Sequence, residues 1–116
     1  MFLLEYQQDQ SKMAFKMFED LLKNGFNVSG VNFKNGIIFK QHIYTSLEEI
    51  KPLPDLVITV VRPEITLNII EQCHNLGIKH LWMQPGSESE QAIKKAQNYG
   101  IEVRHGKCFM SENGIW

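Results

Sequence analysis

Apolar positions along the chain recur first at strand spacing, then at helical spacing, then at strand spacing again, most clearly over residues 55–86. Leu56 to Val61 is a near-continuous, β-branched apolar run, as expected of a strand covered on both faces. Arg62 precedes a proline and stays extended. Pro63 suits the first helical position, where its missing N–H loses nothing, and Glu64 suits the positive helix start. Ile65, Ile69, Cys73 and Leu76 then fall on one helical face,. Gly77 supplies a left-handed stop, and Ile78 to Met83 returns as a strand. A strand–helix–strand crossover of this size is the unit of a parallel sheet. Ligands of such sheets bind beyond the carboxyl ends of the strands, here Thr59 to Arg62 and Gln84-Pro85-Gly86.

The flanking sequence repeats the pattern. Phe2 to Glu5, extended to Tyr6, reads as the first strand, and Gln7 to Gln10 as a polar loop. Ser11 is the expected N-cap of a helix with Met13, Ala14, Met17, Phe18, Leu21 and Leu22 on its apolar face,. Asn24-Gly25 ends it. Phe26 to Val31 is a second strand, Asn32 to Gly36 a polar turn, and Ile37 to Tyr44 a short edge strand. Ser46 caps a brief turn through Ile50. After Gly86, Ser87 and Glu90 form a capping box ahead of Ala92, Ile93, Ala96 and Tyr99. Ile101 to Val103 is a last strand, and Arg104 to Trp116 a tail. Strand and helix in alternation predict an α/β fold, doubly wound, with a mostly parallel sheet, the first strand central and helices on both faces.

Composition narrows the function. The chain's 116 residues fit a single domain, 1–116,. A net charge of −1 without a basic run argues against nucleic acid as the main partner and leaves room for a small anionic ligand,. Two cysteines make no secreted-type framework,. The sequence has neither a membrane-length apolar stretch nor a signal pattern, so a soluble cytoplasmic protein is expected. A P-loop, a catalytic triad and paired carboxylates are all missing from the pattern. Cys108 has His105 three residues before it and no third partner at a defined spacing. A buried structural thiol is therefore expected there, and catalysis through Cys108 is the weakest reading. Cys73 belongs to the helical apolar face, and His42, His74 and His80 show no ligand spacing.

Several segments together resemble the small stand-alone CoA-binding proteins, whose Rossmann-like domain is similar to the N-terminal domain of the succinyl-CoA synthetase α subunit. They are Asp55-Leu56-Val57, Arg62-Pro63-Glu64, Leu81-Trp82-Met83-Gln84-Pro85-Gly86, Gly106-Lys107-Cys108, and Val31-Asn32 followed by Lys34. The resemblance implies a Rossmann-like, NAD(P)-binding-like fold with CoA as the cofactor. It implies ligand contacts from Ser11, Lys12, Asn32, Lys34, Arg62, Pro63, Gln84, Pro85 and Gly86. The family's first strand runs into a Gly-Ala-Ser or Gly-Ala-Thr bend that admits the pyrophosphate, with an Arg just beyond. Laid on without a gap, those positions hold Glu5, Tyr6 and Gln7, with Lys12 for the Arg. A side chain fills space a phosphate would use, and a carboxylate repels it. Two functions follow as alternatives. One is a binding protein for CoA, acyl-CoA or a nucleotide, without catalysis. The other is a family member that has lost CoA and serves as an assembly module, with Ile115 and Trp116 as a homo-oligomer contact.

Overall fold

The computed structural model describes residues 2–6, 11–31, 36–38, 41–44 and 47–116. At its centre lies β1 (Phe2–Tyr6), hydrogen-bonded in parallel to β2 (Val28–Val31) on one side and to β5 (Leu56–Val60) on the other. Beyond β5 come β6 (His80–Met83) and β7 (Glu102–Arg104), both parallel. Beyond β2 comes β4 (Gln41–Tyr44), parallel to it, and then β3 (Gly36–Ile38), antiparallel. The strand order is β3-β4-β2-β1-β5-β6-β7. The expected mostly parallel α/β sheet with a central first strand is present, and residues 36–44 contribute two strands rather than one.

The apolar run in β5 divides its side chains between the two faces, as a pleated strand must. Ile58 and Val60 pack with Met17, Phe18 and Leu21 of α1 (Ser11–Lys23) and with Phe109 and Met110 of α4 (Phe109–Glu112). Val57 and Val61 pack with Ile69, Ile70 and Cys73 of α2 (Pro63–Leu76) and with Ala92 and Ala96 of α3 (Glu90–Asn98). Helices thus cover both faces, and Val57 and Ile58 are fully buried.

Three strand boundaries shift for one reason. After α2, Gly77 takes φ +77°, and Ile78 N–H bonds back to the Cys73 carbonyl at 2.9 Å. This is the 6→1 bond of a Schellman stop, which draws in an apolar residue after the glycine. Phe26 bonds to Leu21 and Ile101 to Ala96 in the same way, each at 3.0 Å. All three residues read as strand starts in the sequence, yet they finish helices. The strands accordingly begin at Val28, His80 and Glu102.

Other expectations are corrected at helix starts and in the tail. Ser11 lies inside the first turn of α1 rather than ahead of it. Ser89, not Ser87, caps α3, its hydroxyl accepting from Ala92 N–H at 3.0 Å. The segment after Arg104 is no loose tail: Phe109 and Met110 of α4 are buried. Trp116 donates through Nε1 to Asp20 Oδ2 at 2.7 Å. That bond ties the residue expected to contact a neighbouring subunit to its own α1. The turn proposed to be capped by Ser46 is a 3-10 turn over Leu47–Glu49, and Ser46 itself lies outside the described residues.

Candidate functional site

The carboxyl ends of β5 and β6 meet at a corner formed by residues 84–87. Gln84 N–H extends the ladder to the Thr59 carbonyl at 3.1 Å, and Ser87 N–H closes a turn on the Gln84 carbonyl at 2.9 Å. Pro85 is the second residue of that turn and Gly86, at φ +96°, the third. This is the sequence requirement of a type II turn. The polar residues behind it lock the corner in place. Ser87 Oγ lies 2.8 Å from Thr59 Oγ1 and donates to the Gln84 carbonyl at 2.7 Å. Thr66 Oγ1, in the second turn of α2, donates to the Ser87 carbonyl at 2.8 Å. Thr59, Thr66 and Ser87 are all buried. A hydroxyl inside the otherwise apolar run of β5 was the available sequence signal for this network, and it is legible only once its partners are known.

The residues expected to face a ligand divide into groups. Arg62 is the N-cap of α2, extended and without a side-chain cap, and Pro63 is the first helical residue. Arg62 Nε pairs with Glu64 at 3.6 Å with both side chains more than half exposed, a contact of little energetic weight. Pro85 and Gly86 are exposed. Thr66 connects the helix headed by Arg62 and Pro63 directly to the Pro85–Gly86 corner, so these four share one edge of the sheet. Ser11 and Lys12 open α1, which follows the carboxyl end of β1. Asn32 and Lys34 lie outside the described residues.

Gln84 requires a correction. Its side chain is 1% exposed and turns away from the corner. Oε1 accepts from Phe109 N–H at 2.6 Å, while Nε2 donates to Cys108 Sγ at 3.3 Å and to Met17 Sδ at 3.7 Å. Both ends of the amide are engaged, so Gln84 anchors α4 under the corner instead of facing a ligand. Glu88, which sequence reasoning did not single out, accepts from Gly86 N–H at 3.0 Å. Its other oxygen is buried without a hydrogen-bond partner among the described residues. A carboxylate thus already occupies the backbone donor that close approach to Gly86 would offer. Two of the three residues expected in the first bend lie in the strand instead. Glu5 stands opposite Val31 and Thr59, and Tyr6 opposite Val60, within β1. Gln7 lies outside the described residues.

Cys108 is partly buried at the N-cap of α4. Burial pushes its thiol pKa up, but hydrogen bonds from the Gln84 amide and from the backbone N–H groups of Ser111 and Met110 outweigh it. The result lies below the ordinary value of 9.0. The expectation of a buried structural thiol is corrected to this extent, whereas Cys73 is fully buried as expected. His105 is exposed. Among the described residues no three His, Cys, Asp or Glu side chains gather as a metal site, and no helix is long and apolar enough to cross a membrane. A cavity of about 350 Å³ lies at the opposite end of the sheet, lined among others by Asp55, His80, Trp82, Glu102 and Arg104.

Comparison with known proteins gives the family and the fold. Residues 6–114 match the family described as the CoA binding domain. A conserved hypothetical protein from Pyrococcus furiosus is 31% identical, with 96% of this chain and 97% of that chain covered at a TM-score of 0.88. A hypothetical protein from Pyrococcus horikoshii is 26% identical over 97% of this chain and 80% of that one, again at 0.88. The dinucleotide-forming acetyl-coenzyme A synthetase 1 of Ca. Korarchaeum cryptofilum shares the fold at a TM-score of 0.68 and 21% identity. That match spans 87% of this chain and 25% of the synthetase.

Proposed function

Because this chain belongs to the CoA binding domain family, whose membership supports a CoA-related binding role, we propose that it holds CoA, an acyl-CoA or a related nucleotide at the carboxyl ends of β1, β5 and β6. It does so as a binding protein, with no reaction of its own. The observation that carries this reading is the rigid, exposed Pro85–Gly86 corner tied through Ser87 and Thr66 to the head of α2. Gly86 has no side chain to keep a ligand off the backbone. The openings of α1 and α2 direct N–H groups and positive dipole ends toward the same edge. Lys12 and Arg62 are the cations of these two openings. Glu88 opposes an anion at Gly86, so a phosphate that bonds this amide must displace its carboxylate. An alternative is that the ligand presents a neutral part to the corner.

Isothermal titration calorimetry with CoA, acetyl-CoA, NAD and ATP tests the reading. Heat is expected with CoA and acetyl-CoA. Arg62→Ala is expected to weaken binding by about tenfold, the loss of one charge-assisted hydrogen bond. Glu88→Gln is expected to tighten it. Absence of heat with all four at high micromolar concentration would remove the proposal and leave the assembly role. Equal heat from ATP, NAD and CoA would reduce it to general nucleotide binding.

A further inference from the structure

Strand β7 ends the sheet, and among the described residues no further strand pairs with it. Its three residues read Glu102-Val103-Arg104. Glu102 N–H bonds to the Lys79 carbonyl at 2.7 Å, and Glu102 and Arg104 stand opposite His80 and Trp82. In a parallel ladder alternate residues turn both backbone groups toward the neighbour. Glu102 and Arg104 therefore face β6, and Val103 directs its N–H and C=O outward from the edge. The side chains alternate as well. Val103 packs on the α2–α3 side, while Glu102 and Arg104 line the cavity beside Trp82, Phe109 and Asn113 on the α4 side. Both charged side chains are more than half exposed.

We propose that this edge pairs with the same edge of a second copy of the chain, antiparallel, about a two-fold axis at Val103. In that register each Val103 exchanges both backbone hydrogen bonds with its symmetry mate. Glu102 of one copy faces Arg104 of the other, twice. These are the closely spaced, non-hydrogen-bonded positions, where cross-strand charges interact most directly. Short charged edges usually prevent pairing, because like charges meet. Here the order acid–apolar–base is its own complement, as an isologous contact requires. The axis stands perpendicular to the sheet, so the same face of each copy continues across the junction. The two cavities then adjoin as one trough between the two α4 helices. Glu102 already contacts Arg104 at 3.4 Å and His80 at 3.3 Å within the chain. These exposed pairs are weak, which leaves the Arg104 guanidinium free to exchange partners at small cost.

Light scattering coupled to size exclusion reads the outcome, with 13.5 kDa expected for one copy and twice that for the pair. The unaltered chain is expected to dimerise, less tightly as salt rises. Glu102→Arg and Arg104→Glu each place like charges opposite one another, and each is expected to weaken the dimer at least about tenfold. The double exchange E102R/R104E restores opposite charges and is expected to restore the dimer, which also shows that the altered strand still folds. Val103→Pro removes only an outward N–H, leaving the bonds to β6 intact, and is expected to give a monomer. A monomeric unaltered chain overturns the proposal. So does a dimer indifferent to the single reversals, which must then use another surface.

Discussion

The two faces of the sheet are closed by different means. The α2–α3 face is covered by two crossover helices, which carry the chain back to the end of the sheet where the next parallel strand starts, as α1 does on the other face. Hydroxyls and a carboxylate then fasten the cover: Thr66 to Ser87, Thr59 to Ser87, and Tyr99 and Lys95 to Glu71. The other face has one long helix, α1, and next to it only the four residues of α4. That short helix is held by the Gln84 amide, by Trp82 Nε1 donating to the Lys107 carbonyl at 3.0 Å, and by Phe109 set edge-on to the Trp82 ring. Cover required by topology is redundant. Cover added by a trailing segment depends on a few contacts and leaves an opening at β6 and β7.

The contrast breaks most readily at Phe109. Phe109→Ala removes a nearly buried ring that also meets Phe26 edge-on, and is expected to cost about 3–5 kcal/mol in urea unfolding. A cost below ~1 kcal/mol would mean that α4 is not a needed cover. Gln84→Leu comes next, because it leaves the buried Phe109 N–H without its acceptor. The expected cost is about 1–3 kcal/mol, accompanied by faster amide exchange over residues 109–116. It is also expected to slow alkylation of Cys108 below pH 9, since Nε2 is one of the donors that favour the thiolate. Unchanged exchange would show that the amide is dispensable.

On the redundant face the effects are smaller. Thr59→Val removes one member of the corner network but leaves Ser87 bonded to the Gln84 carbonyl. About 1 kcal/mol is expected, and a cost equal to that of Gln84→Leu would erase the contrast. The smallest effect is expected from Tyr99→Phe, and it depends on pH. The Tyr99 hydroxyl is the main cause holding the Glu71 carboxyl below its ordinary 4.5, with Lys95 second. A depressed carboxylate stabilises the fold above its unfolded pKa and loses that contribution as pH falls through the folded one. The variant should be slightly less stable than the unaltered chain near neutral pH, and the two should converge in acid. Glu71 also holds the Tyr99 hydroxyl above 10.0, so the tyrosine's contribution is lost as pH rises beyond that value. A difference that stays constant across the acid range would assign the effect to packing against the stacked His74 ring.

The alternation of strand and helix was readable because burial on both faces leaves long apolar runs, of which Leu56 to Val61 is the clearest. Boundaries were harder. Phe26, Ile78 and Ile101 are apolar and follow a turn, and nothing local distinguishes a residue closing a helix from one opening a strand. Ser87 and Ser89 both suit a helix start. The deciding partner of Ser87 is Thr59, 28 residues earlier, so local pattern selected the wrong serine. Gln84 misled for a related reason. Gln-Pro-Gly reads as an exposed turn, and the proline and glycine are exposed, but the amide finds its partners in Met17, Cys108 and Phe109, all distant from it in sequence. Around the Pro85–Gly86 corner the turn was legible, and the long-range partners that bury one of its residues and expose the next were not.

The position of β1 has a consequence for biogenesis. It leaves the ribosome ahead of both strands that flank it, and its pairing of Leu3 with Val57 spans about half of the chain. Closing so long a loop costs entropy before any contact compensates it, so topologies of this kind assemble slowly. The stretches β1–α1–β2 and β5–α2–β6 each contain their own strand pair and need no such wait. Assembly is expected to start within these two units, with the β1–β5 pairing made afterwards. Until then the β5-facing edge of β1 stays unpaired on the nascent chain, which makes it a natural target for a chaperone.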